Sequence, residues 1–189
     1  MKVVLLGHSY VRDLGRLSES TLEVNSSVKL EISYSAFPGA KFSHFLENLD
    51  RLQDLFHAQP EFVVVILGGN DFDNNSPLSE ICDRARAFYH ILRSNLPRSK
   101  IFAAQVECRF YRPNNRFECP EAAQYKKITS YFNKFLKKLS YIDNLICVLG
   151  PNRLSNKSLF KTDGVHLTLA GVQKLWDIIR SFLVHKVSE

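Results

Sequence analysis

Four short clusters in this sequence hold side chains that can do chemistry in concert: Gly7-His8-Ser9, Phe37-Pro38-Gly39, Gly68-Gly69-Asn70-Asp71 and Asp163-Gly164-Val165-His166. A serine hydroxyl is a poor nucleophile until a base takes its proton, and histidine is the side chain suited to that transfer near neutral pH. Ser9 is therefore the candidate nucleophile and His166 the candidate base. Asp163 can hold the imidazole tautomer and stabilise the imidazolium, the third role in a serine triad. An oxyanion developing on the substrate needs donors already in position. The backbone N–H groups of Ser9 and Gly39 and the carboxamide of Asn70 are of that kind, and losing one such donor typically costs about 2.7–4 kcal/mol of barrier stabilisation. Gly39 has no Cβ, which lets backbone approach a ligand closely. Together these groups suit acyl transfer from an ester, with no metal and no cofactor. Singly, each cluster is also an ordinary turn or helix start. What separates the two readings is whether the fold brings the clusters together.

Five short β-rich runs would have to position them: Val3 to Leu6, Leu30 to Ala36, Phe62 to Leu67, Ile101 to Val106 and Leu145 to Leu149. Phe62-Val63-Val64-Val65-Ile66-Leu67 is apolar without alternation, the pattern of a strand covered on both faces. Helical spacing of apolar residues recurs between the runs, over Ile81 to Leu92, Ile128 to Leu139 and Leu169 to Leu183, and Phe42 to Phe56 is a further candidate. Strands alternating with helices predict right-handed βαβ units. The expected fold is α/β, a three-layer α/β/α sandwich with a flavodoxin-like five-stranded parallel sheet in the order 2-1-3-4-5. With no repeat or linker, residues 1–189 are expected to form a single domain. Doubly wound sheets build their sites beyond the carboxyl ends of the strands, where the strand order reverses. Ser9, Gly39 and Asn70 follow runs one, two and three directly, and Asp163 to His166 precedes the last helix.

These residues resemble the landmarks of the SGNH hydrolases, also called GDSL-type esterases and lipases, in the blocks Gly7-His8-Ser9, Gly39, Gly68-Gly69-Asn70-Asp71 and Asp163-Gly164-Val165-His166. The resemblance spans the chain from residue 3 to the last helix. It implies the flavodoxin-like sandwich and metal-free ester hydrolysis through an acyl-serine, with Ser9, Asp163 and His166 as triad and Ser9, Gly39 and Asn70 as oxyanion hole. No Gly-x-Ser-x-Gly elbow is present, since position 11 is Val, which separates the sequence from ordinary α/β-hydrolases. The sequence departs from the family at one place: His8 stands where an Asp usually precedes the serine. That Asp is not the triad acid but helps to fix the local turn, so the exchange bears on geometry and rate. The stretch Gly7 to Leu14 is also similar to esterase-like domains encoded in some animal mobile elements.

Composition limits what else the chain can be. Apolar residues make up 45%, charged residues 23% and aromatics 12%, which excludes disordered, collagenous and coiled-coil classes. The start of the chain lacks a signal-peptide core and no later run approaches a membrane span, so an intracellular, cytoplasmic protein is expected. The four cysteines form no CxxC pair and read as reduced, mostly buried thiols, with a Cys108–Cys119 disulfide as the minor alternative. The net charge of +6 is concentrated in residues 109 to 138. There Arg109, Arg112 and Arg116 interleave with aromatics on a loop, and Lys126, Lys127, Lys134, Lys137 and Lys138 follow on a helix. His8 and the three arginines are candidate substrate or partner contacts. A small ester is the expected ligand. A second reading remains open, a catalytically weak binding module that recruits nucleic acid, anionic membrane headgroups or a protein through this basic segment. A flavin or nucleotide binder is less favoured, because no GxGxxG follows the first run.

Overall fold

The computed structural model describes residues 1–189 except 18–19, 26, 75, 108, 111–121, 143–145, 150–153 and 155, and the side chains of residues 74, 122, 123 and 142. Its centre is a sheet of six strands: β1 (Lys2–Gly7), β2 (Thr21–Asn25), β3 (Val28–Ala36), β4 (Phe62–Ile66), β5 (Lys100–Ala104) and β6 (Cys147–Leu149). Their order is β2-β3-β1-β4-β5-β6, with β2 antiparallel and the other five parallel. The five parallel strands are the five predicted runs, in the predicted order.

Side chains alternate between the two faces of each strand, and here each face meets its own helices. Val4, Leu6, Val63, Val65, Ile101 and Ala103 belong to one core, while Val3, Leu5, Phe62, Val64, Phe102 and Ala104 belong to the other. On the first face lie α2 (Phe42–Glu47), α3 (Gln53–Ala58), α4 (Leu78–Asn95) and α5 (Ala122–Ile142); on the second lie α1 (Ser9–Leu17) and α6 (Leu169–Ser188). The periodic stripes account for this packing: Ile81, Ala85, Phe88 and Leu92 of α4 and Val172, Leu175, Ile179 and Leu183 of α6 are all buried. No helix among the described residues is long and apolar enough to cross a membrane.

Three elements differ from expectation. The sixth strand, β2, forms a hairpin with β3 that Asn25 closes: its Oδ1 accepts from the N–H groups of Ser27 at 3.0 Å and Val28 at 2.9 Å. The predicted helix from Phe42 to Phe56 is broken at Asn48, whose backbone is extended and whose side chain accepts from Asp50 N at 3.0 Å. An asparagine that bonds its own downstream backbone competes with helix propagation, so a 3-10 turn at Leu49–Leu52 intervenes before α3. Helix α1 is absent from the predicted set. Cys82 is half-buried and Cys147 is exposed, so the expected burial does not extend to Cys147; the Cys108–Cys119 pairing lies outside the described residues.

Strand β1 lies between β3 and β4, and the backbone fixes how their carboxyl ends meet. Phe37 N donates to Gly7 O at 2.8 Å, and His8 N donates to Ile66 O at 3.3 Å. Gly7 permits this approach: a Cβ built there would stand 2.2 Å from Ile66 O, against rigid backbone rather than a flexible side chain. Gly7→Ala should therefore push β1 from β4 at the site end and destabilise the fold by about 1–3 kcal/mol, or roughly 2–4 °C in Tm per kcal/mol. An unchanged thermal melt would contradict this account of the junction.

Candidate active site

The candidate nucleophile is the first residue of α1, and its N–H is one of the four that a helix leaves without an intrahelical partner. Ser9 is half-buried. His8 sits at the position before the helix and caps it, its Nδ1 accepting from Tyr10 N at 3.4 Å while His8 O accepts from Val11 N at 3.0 Å. One residue past Ser9, the Tyr10 hydroxyl donates to Val165 O at 2.6 Å. That bond fastens the first turn of α1 to the turn that ends in His166.

Within that second turn the candidate acid and the candidate base are joined. His166 Nδ1 lies 2.8 Å from Asp163 Oδ2, and Asp163 Oδ1 accepts from Val165 N at 2.8 Å and His166 N at 2.9 Å. Desolvation raises the Asp163 pKa, but the two backbone bonds and the imidazole outweigh it and hold the carboxyl below the ordinary carboxylate range. Next to the turn α6 begins, with Thr168 Oγ1 accepting from Gly171 N at 3.2 Å and Thr168 N donating to Leu159 O at 2.9 Å. Helix start and turn are thus one rigid unit.

On the other side of β1 the Gly39 and Asn70 loops are also tied. Asn70 Nδ2 donates to Ala40 O at 3.0 Å, and Phe42 N donates to Asp71 Oδ1 at 3.2 Å. Gly39 has φ +77°, and a Cβ there would meet nothing within 4 Å. A left-handed backbone, rather than crowding, is what requires glycine at this position.

The sequence profile of the GDSL-like lipase/acylhydrolase family matches residues 6–174, a span that holds every group just described. The chain belongs to this family. No curated protein matches it by sequence. Among solved structures, the lipase/acylhydrolase from Enterococcus faecalis superposes with TM-score 0.69 at 16% identity, covering 98% of this chain and 96% of that one. A GDSL-like lipase from Bacteroides thetaiotaomicron gives 0.65 at 21% identity, with 98% and 88% covered. A catalytic mutant of an acetylxylan esterase from Geobacillus stearothermophilus gives 0.67 at 14% identity, with 94% and 91% covered. At these identities the likeness is one of fold.

Two of the four expected contact residues are described, and both are buried: His8 is 4% exposed and Arg109 is 5% exposed. Burial, with Arg109 and His166 nearby, lowers the His8 pKa to about 3. The imidazole is neutral at physiological pH and keeps the Nδ1 lone pair that caps α1. It thereby accepts a helix N–H, as an Asp at a helix N-cap can. Arg109 Nη1 donates to Asp73 Oδ1 at 2.8 Å and Oδ2 at 2.6 Å, and its Nη2 donates to Asn70 Oδ1 at 2.8 Å. Arg112 and Arg116 lie outside the described residues. The five lysines of α5 are exposed on its outer face, with Lys134 Nζ 5.7 Å from the Tyr131 ring centroid.

Tyr10 and Asp73 are outside the sequence reading, and Asp71 enters it only as the last residue of the Gly68–Asp71 block, with no role. The signal for the two acids was their position right behind Asn70 in Asn70-Asp71-Phe72-Asp73, where a loop at a buried site needs bonds to its neighbours. Asp71 is 2% exposed, and its Oδ2 has no hydrogen-bond partner among the described residues. Burial pushes its pKa up to about 7, against smaller opposing effects from the Phe42 N–H, Lys41 and Arg84. Because the folded value lies above the unfolded one, the folded chain holds this proton more tightly. The stability so contributed is full below about pH 3.8 and is lost as pH rises through about 7. Wild type should therefore lose Tm relative to Asp71→Asn between pH 5 and pH 8. A Tm difference that is the same at both pH values would contradict a proton on Asp71.

Proposed function

We propose that this chain is a serine esterase that hydrolyses small, acetyl-type carboxylic esters through an acyl-serine intermediate on Ser9. The observation that carries the proposal is the 2.8 Å contact between His166 Nδ1 and Asp163 Oδ2. A carboxylate on Nδ1 leaves Nε2 as the basic nitrogen, the arrangement that a general base for serine requires. Ser9 Oγ attacks the ester carbonyl carbon while its proton passes to His166 Nε2, and Asp163 stays ionised beside the imidazolium. The carbonyl oxygen becomes an oxyanion that takes hydrogen bonds from Ser9 N, Gly39 N and Asn70 Nδ2. As the tetrahedral intermediate collapses, the C–O bond to the alcohol breaks and His166 returns the proton to the leaving oxygen. A water molecule, deprotonated by His166, then attacks the acyl carbon, releasing the carboxylic acid and restoring the Ser9 hydroxyl. No cofactor enters these steps.

Membership of the acylhydrolase family supports ester chemistry, and acetyl xylan esterases stand among the structural neighbours, which supports the acetyl class. The tie between Tyr10 and Val165 supports the pairing of Ser9 with His166, because it couples the two segments that carry them.

Purified protein should hydrolyse p-nitrophenyl acetate. Ser9→Ala and His166→Ala should fall to the uncatalysed background, and Asp163→Asn should lower kcat by about 10⁴-fold, since the imidazole then loses its tautomer restraint. Equal turnover by wild type and the Ser9→Ala variant would overturn the proposal.

A further inference from the structure

Asn70 donates to an oxyanion only if its carboxamide nitrogen, not its oxygen, faces the Gly39 loop. Rotation by 180° about the last side-chain bond exchanges the two at little cost unless a neighbour discriminates them. We propose that Arg109 is that discriminator, a positioning residue that locks Asn70 in its donating orientation; the inference rests on the ester-hydrolase reading.

A guanidinium has five donors and no acceptor. The atom that Arg109 Nη2 meets at 2.8 Å must therefore be the amide oxygen, and Nδ2 must point the other way. One Nδ2 hydrogen goes to Ala40 O at 3.0 Å, which leaves the second for the substrate oxygen. A flipped amide would set its NH2 against the guanidinium, donor against donor, and its oxygen against both Ala40 O and the oxyanion. The cation also polarises the carboxamide it binds, which strengthens Nδ2 as a donor.

The bracket that holds Arg109 is built for fixed geometry. Both oxygens of Asp73 meet Nη1, three residues after Asn70. The Tyr125 ring of α5 lies 5.8 Å from the guanidinium carbon, and its hydroxyl donates to Gly69 O at 3.4 Å. At Gly69 a Cβ would stand 2.7 Å from Arg109 Nη2, so a side chain there would make the end of the arginine shift. The next residue after Arg109 reaches the other half of the site, Phe110 N donating to Gly164 O at 2.8 Å in the Asp163 turn. The segment after β5 thus touches both the oxyanion side and the acid–base side.

The test is a kinetic cycle on p-nitrophenyl acetate with Arg109→Met, Asn70→Ala and the double variant. Arg109→Met should lower kcat about tenfold to hundredfold with KM unchanged, less than the roughly 10²–10³-fold cost of removing an oxyanion donor. In the Asn70→Ala background the same change should cost under about twofold, because a residue that acts through another has nothing left to position. An equal loss in both backgrounds, or no loss in a folded Arg109→Met protein, overturns the proposal. If Arg109→Met does not fold, Gly69→Ala takes its place in the cycle, since it displaces Nη2 and removes no polar group. The NMR signals of the Asn70 side-chain amide read the clamp without turnover. They should shift and exchange faster with water in Arg109→Met or Gly69→Ala; unchanged signals overturn the clamp. Turnover that does not depend on Ser9, with the amide signals still sensitive to Arg109, would instead sink the esterase reading alone.

Discussion

The backbone of residues 7 and 8 is held from both sides, by Phe37 N on the Gly7 carbonyl and by the Ile66 carbonyl on His8 N–H. Everything at the site hangs on this junction. It forces β1, β3 and β4 to end side by side, so the residues that follow them, Ser9, Gly39 and Asn70, emerge at the carboxyl end of the sheet. The apolar strands beneath supply the stiffness: Val63, Val64 and Val65 are fully buried, and each face of β4 is covered by its own set of helices. Loops alone would not hold these three residues in register; loops rooted in three adjacent parallel strands can.

Around that junction, polar groups are arranged so that few charges stand alone in the interior. Asp163 is ionised because two backbone N–H groups and an imidazole face it. Arg109 is buried with both oxygens of Asp73 and the Asn70 amide around it, since a buried cation without partners would cost several kcal/mol. His8 and Asp71 take the other course: burial shifts both toward their neutral forms. A neutral imidazole still caps α1, and the Asp71 carboxyl still receives the Phe42 N–H, so positioning survives without the desolvation of further charge.

Much of this was legible in the residues. An unbroken apolar run such as Phe62 to Leu67 marks a central strand, and the Ser, Gly and Asn segments at strand ends, with Asp-x-x-His before the last helix, mark the candidate site. What escaped had local causes. The pattern of β2 is five residues long with one buried side chain, Leu22, too weak a period to stand out from a polar stretch. The break at Asn48 depends on one side chain choosing its own backbone over the helix, against a strong apolar stripe. The ties of Arg109 were not legible because its partners, Asn70 and Asp73, lie more than thirty residues away. Long-range pairing of that kind leaves no trace in spacing.

The central claim is that Ser9 is an activated nucleophile, and covalent labelling tests it without knowledge of the natural ester. Intact protein treated with a fluorophosphonate probe should gain one probe mass, located on the Ser9 peptide by fragmentation, and the Ser9→Ala protein should gain none. Folded wild type that stays unlabelled, or carries the probe on another residue, would contradict the account.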